Sequence, residues 1–97
     1  VSTGEELPVE FGLDQNYPNP FNPSTLIGYQ VPGSGATRVR LAVYDMLGRE
    51  VAVLVNEKKE PGHYVATWNA NGLAGGVYFA RLTAGQFVQT RKMTLMH

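Results

Sequence analysis

Hydrophobic residues recur at every second position through much of this chain, and turn-forming residues interrupt the alternation at short intervals. A period of two belongs to a half-buried β-strand, whose neighbouring side chains point to opposite faces. Residues 37–45 (TRVRLAVYD) show it most plainly. Val39, Leu41 and Val43 fall on one face, with Arg38, Arg40, Ala42 and Tyr44 on the other. A second strand is predicted over residues 49–55, with Val51, Val53 and Val55 aligned. Between them the Asp45 side chain is suited to accept nearby amides and Gly48 to take positive φ, which predicts a tight hairpin. Pro61-Gly62 opens a strand over residues 63–69 in which Tyr64, Ala66 and Trp68 share a face, and residues 69–76 (NANGLAGG) read as a loop. Residues 77–83 and 87–96 form a last hairpin around Ala84-Gly85-Gln86, and residues 9–13 and 25–31 are shorter strands. No segment has a convincing helical period. About seven short strands joined by short turns predict an all-β fold, an antiparallel immunoglobulin-like β-sandwich, with a small open barrel as the alternative.

One segment departs from the alternation. Residues 16–25 read NYPNPFNPST, with three prolines close together and asparagine before two of them. Proline fixes φ, biases its predecessor toward extended backbone and lacks the N–H that a neighbouring strand needs. The segment is therefore expected to be stiff, partly polyproline-like, and to lie along a sheet edge that it closes to further pairing. Tyr17 and Phe21 are the expected anchors to the core. The rival reading, a proline-rich ligand for a partner's groove, fits less well, because the aromatics are spaced for docking onto their own domain.

Composition narrows the function. The chain has 97 residues, enough for one core. Residues 1–8 (VSTGEELP) read as the end of a linker and residues 9–97 as the domain. The first residue is Val1, with no signal-peptide pattern behind it, and the chain reads as a piece of a longer protein. Cysteine is absent, which removes disulfides, thiolate metal sites and cysteine nucleophiles. Eight Lys and Arg balance eight Asp and Glu, so no net field draws the domain to nucleic acid or anionic lipid. No apolar run has the length of a membrane-spanning helix.

Groups able to do chemistry are few. His63 alternates out of phase with Tyr64, Ala66 and Trp68, which places it on the surface, and His97 is terminal. Ser2, Ser24 and Ser34 are in no nucleophile-elbow motif. Asp45 is accounted for by its turn. Asn69 and Asn71 have no carboxylate beside them to complete a calcium loop. Trp68 could stack on a sugar, but it shares the face of Tyr64 and Ala66, the pattern of a core residue. The chain is read as non-catalytic, with no catalytic, cofactor-binding or metal-binding residue.

A resemblance carries the reading further. LDQNYPNPFNPST, VRLAVYDMLGREVAVLV, PGHYVATWNANGLAGGVYFARLTAGQF and TRKMTL follow one another between Leu13 and Leu95. Together they resemble the type A C-terminal sorting domain of the type IX secretion system, found at the ends of large secreted proteins of Bacteroidetes and related Gram-negative bacteria. The resemblance implies an immunoglobulin-like sandwich that directs a preceding cargo domain from the periplasm through an outer-membrane translocon. It also implies that a sortase-like peptidase often removes the domain afterwards and can anchor the cargo at the cell surface, with cleavage expected before Leu13. No nucleic acid partner, membrane insertion or cofactor is implied. Residues 76–82 (GVYFARL) resemble one family block and residues 91–95 (RKMTL) its final block, the part tied to recognition. Arg81, Arg91, Lys92, Met93 and Leu95 are therefore the expected partner-recognition residues. The other readings of the same pattern are a structural spacer in a secreted enzyme and a carbohydrate-binding accessory module.

Overall fold

Each alternating segment forms a strand in the computed structural model of the protein, which describes residues 7–97. The expected linker end at residues 1–8 therefore lies largely outside the described residues. The strands are β1 (Gly12–Leu13), β2 (Ser24–Val31), β3 (Thr37–Tyr44), β4 (Glu50–Lys59), β5 (Gly62–Asn69), β6 (Gly76–Ala84) and β7 (Phe87–Leu95). They make two antiparallel sheets, ordered β1-β2-β5 and β4-β3-β6-β7. Two sheets facing each other make an immunoglobulin-like sandwich and not an open barrel. In this topology β4 stays beside β3 instead of crossing to cover β5.

The inward faces supply the core. Val39, Leu41 and Val43 of β3 are fully buried, as are Ile27, Tyr29 and Val31 of β2. Trp68 sits at the centre, its ring 5.5 Å from Phe21 and 5.4 Å from Tyr78 in tilted and edge-on geometry. Tyr64 and Ala66 pack against the same cluster, so β5 faces inward as its alternation predicts.

Three expectations are corrected. Val51, Val53 and Val55 do not align. β4 carries irregularities opposite Leu41/Ala42 and Val43/Tyr44, so Leu41 pairs with Val55 and Ala42 with Val53. Each extra residue switches the strand's face, which leaves Val53 exposed while Leu54 and Ala52 pack on the core. At the amino end only Gly12–Leu13 pairs as a strand. Val9 is exposed, and Phe11 is held by stacking on Phe87 at 5.2 Å. The third correction is Tyr17, which is 77 % exposed and is held by its backbone bridge to Leu26 and not by its ring, whereas Phe21 is 1 % exposed.

The proline-rich segment does lie along a sheet edge, that of β7. It bends repeatedly instead of running as an extended polyproline rod. The Phe21 N–H donates to the Thr94 carbonyl (2.9 Å) and the Met96 N–H to the Phe21 carbonyl (2.8 Å). The Thr94 N–H donates to Asn19 Oδ1 (3.0 Å), and Gln15 Nε2 to the Lys92 carbonyl (2.7 Å). These bonds occupy edge groups along the carboxyl-terminal half of β7, where an incoming strand would pair.

Candidate functional site

The terminal hairpin is closed by the two-residue loop Gly85-Gln86, with Ala84 paired to Phe87. Gly85 has φ 59°, and glycine at the first central position is what a hairpin turn of this length favours. The register places Phe79 opposite Lys92, Ala80 opposite Arg91 and Arg81 opposite Thr90. Because directly opposed residues share a face, Arg81 and Lys92 both stand on the outward side of the sheet. Arg91 belongs to the inward side with Met93 and Leu95.

Burial follows that division. Met93 and Leu95 are 0 % and 2 % exposed, in the core cluster with Leu82 and Phe21. Arg91 is half-buried at the rim, its Nε donating to the Leu13 carbonyl at 2.8 Å. The Leu13 N–H in turn donates to Gln89 Oε1 at 3.2 Å, so side chains of β7 hold β1 across the side of the sandwich. Of the expected recognition residues, only Arg81 and Lys92 are exposed. The structure brings these two together and separates Arg91 from them.

Beside the hairpin on that outward face, the Arg81 guanidinium lies 4.7 Å from the Tyr44 ring centroid. Arg40 pairs with Glu50 at 2.6 Å and donates to the Tyr44 hydroxyl at 3.2 Å. The bond to Glu50 is the main cause holding the Arg40 guanidinium above its ordinary range. Arg40 is therefore compensated, while Arg81 and Lys92 form no ion pair among the described residues. The face carries a modest positive charge over an aromatic floor of Tyr44 and Phe79.

The β3–β4 hairpin adjoins this face. Asp45 Oδ1 accepts the Leu47 and Arg49 N–H groups, both at 2.9 Å, and Gly48 takes φ 84°, as the turn chemistry requires. The Arg49 amide is the first cause of the lowered pKa of Asp45. Met46 and Leu47 at the tip are 71 % and 77 % exposed, an apolar feature of the turn.

Asn16 was missed. It is 3 % exposed, and its Nδ2 donates to Thr25 Oγ1 (2.9 Å) and the Pro18 carbonyl (3.1 Å), while Thr25 Oγ1 donates to Pro18 as well (2.9 Å). Asn16 thus fastens the proline-rich segment to β2. The signal available was an Asn and a Thr bracketing a segment that can satisfy few of its own backbone groups.

His63 is exposed, and Asn69 Oδ1 is taken by the Asn71 N–H at 2.8 Å in a local turn. No group of three metal-competent side chains occurs among the described residues.

Residues 15–96 match the family model described as secretion system C-terminal sorting domain. The match spans the proline-rich segment and every strand from β2 to β7. No curated protein matches the chain, and no solved structure does. The chain belongs to the C-terminal sorting domain family of type IX secretion, whose members act as sorting signals on secreted or cell-surface proteins.

Proposed function

We propose that this sorting domain directs a covalently preceding cargo from the periplasm through the outer-membrane translocon, and that the outward face of its terminal hairpin is the surface the machinery reads. The observation that carries this reading is the exposure of Lys92 and Arg81 on one face, without an ion pair among the described residues, on a hairpin fixed from behind by Met93 and Leu95. In this reading Lys92 and Arg81 make the contact. Met93, Leu95 and Arg91 set its position, the first two by burial and the last through Leu13.

Recognition rests on side chains and surface shape and not on an added strand, because the proline-rich segment occupies the carboxyl-terminal half of the β7 edge. The domain contributes no covalent chemistry and no cofactor. Removal by a sortase-like peptidase, with anchoring of the cargo at the cell surface, falls before Leu13. Support for that placement is the 92 % exposure of Val9, since a peptidase needs accessible chain.

The test is charge reversal. Lys92→Glu changes an exposed side chain and is expected to shift stability by no more than about 0.5 kcal/mol. Lys58→Glu, an exposed reversal on β4, is the control. In a host with type IX secretion, a cargo fused to the Lys92→Glu domain is expected to reach the medium and cell surface poorly, while the Lys58→Glu fusion is exported normally. Normal export of both overturns the assignment of the hairpin face.

A further inference from the structure

The four strand edges of this sandwich are unequally protected. β1 is two residues long, β7 is bonded to the proline-rich segment, and β4 carries two irregularities with Glu57, Lys58 and Lys59 at its end. Irregular pairing and charge are ordinary devices against edge-to-edge association. β5 has neither. It pairs with β2 in unbroken register from Gly62 to Asn69, and its sequence, GHYVATWN, contains no Asp, Glu, Lys, Arg or Pro. In the constant-type immunoglobulin arrangement a further strand covers the corresponding edge, but here β4 lies in the other sheet.

The register identifies which groups the edge presents. The Ala70 N–H donates to the Pro23 carbonyl at 2.9 Å, continuing the β2–β5 ladder by one pair. In an antiparallel pair, hydrogen-bonded and non-hydrogen-bonded positions alternate. Ala70, Trp68, Ala66 and Tyr64 therefore turn their backbone groups toward β2, and His63, Val65, Thr67 and Asn69 turn theirs outward. All four of the latter are exposed, Val65 at 67 %.

We infer that the edge of β5 left unpaired by the described residues is a self-association surface, where a second copy of this chain adds its own β5 antiparallel across a two-fold axis at Ala66. About that axis His63 meets Asn69 of the other copy and Val65 meets its Thr67. Every outward N–H and C=O of the four residues then gains a partner. Val65 and Thr67 form β-branched cross-strand pairs, a favourable combination on a pleated surface. Ala66 faces Ala66, the small side chain that lets two copies meet at the axis. No like charges oppose one another along the strand, and the chain as a whole has formal net charge +0, so no field keeps two copies apart. A strand from a different protein could use the same backbone groups, but only the second copy has a complementarity that can be read from this sequence. The result is a continuous sheet running β1-β2-β5 into β5-β2-β1 of the partner, with both cationic hairpin faces left open. The inference is independent of the sorting assignment and concerns a different edge.

Two measurements test it. Sedimentation equilibrium of the 97-residue chain is expected to show a reversible monomer–dimer equilibrium. Val65→Pro deletes an outward N–H while leaving the bonds to β2, and is expected to abolish the dimer with a folded β-type circular dichroism spectrum retained. The second measurement uses the absence of cysteine. Ala66→Cys places two thiols at a non-hydrogen-bonded pair, about 4.5 Å between Cα atoms, within the span a disulfide bridges. Mild oxidation is expected to link this variant into dimers faster than an exposed control, Ser34→Cys, and this readout does not depend on Val65→Pro folding. A wild-type chain monomeric up to millimolar concentration overturns the inference. So does a dimer that survives in folded Val65→Pro, or cross-linking of Ala66→Cys no faster than the control.

Discussion

Replacing Phe21 with alanine removes the side chain that fastens the proline-rich segment. The ring is 1 % exposed and packs 5.5 Å from Trp68, and the backbone on either side of it bonds to Thr94 and Met96. Truncating a buried phenylalanine costs about 3–5 kcal/mol, from lost burial and from a cavity that close neighbours fill only partly. For a domain of this size each kcal/mol lowers Tm by roughly 5 °C, so Phe21→Ala is expected to lower it by roughly 15–25 °C. Trp68 is 4 % exposed in the intact domain and reports the same event, because losing Phe21 admits water beside it and moves its fluorescence to longer wavelength. The matched control is Tyr17→Ala. Tyr17 lies in the same motif but is 77 % exposed, so its truncation is expected to cost no more than about 0.5 kcal/mol. Thermal melts by circular dichroism, with tryptophan emission recorded alongside, make the comparison. A Phe21→Ala melt within about 5 °C of wild type, or equal losses for the two variants, refutes the assignment of Phe21 as the anchor.

Two other outcomes follow from the first hairpin. Gly48 has φ 84° and open space where a Cβ would lie, so Gly48→Val meets only the backbone penalty. It is expected to cost about 1–2 kcal/mol, and an unchanged Tm contradicts the turn assignment. The Asp45 carboxyl is held below its ordinary range, first by the Arg49 amide. Its contribution is therefore complete above the unfolded-state value near about 3.9 and is lost as pH falls through the lower folded-state value. Melts recorded against pH are expected to show this acid-side loss in wild type and not in Asp45→Asn. Parallel profiles for the two proteins contradict it.

The parts of this fold that were legible in the sequence are those fixed by local periodicity. The β3 alternation placed Val39, Leu41 and Val43 inward because β3 itself has no inserted residue and pairs with β6 without a shift, the extra residues lying on β4. The same reasoning failed on β4, where two extra residues break the period without any Gly or Pro to announce them. Tyr17 and Phe21 could not be told apart, since which ring turns inward depends on how the chain bends between them. The block at residues 91–95 shows the same limit. Met93 and Leu95 share the buried face that strand alternation dictates, but the bond from Arg91 to Leu13 follows from the position of β1, a contact across 78 residues of chain. The open edge of β5 depends on which sheet β4 joins, which no local pattern states.

The central claim, that this domain is the export signal of the protein that carries it, is tested most directly by moving it. A reporter enzyme that is exported to the periplasm and no farther is fused ahead of residues 7–97 and expressed in a type IX-competent host. Its activity is then measured in the medium, on the cell surface and in the periplasm, beside the same reporter without the domain. The account predicts activity outside the cell for the fusion and periplasmic retention without the domain. The same distribution for both reporters contradicts it.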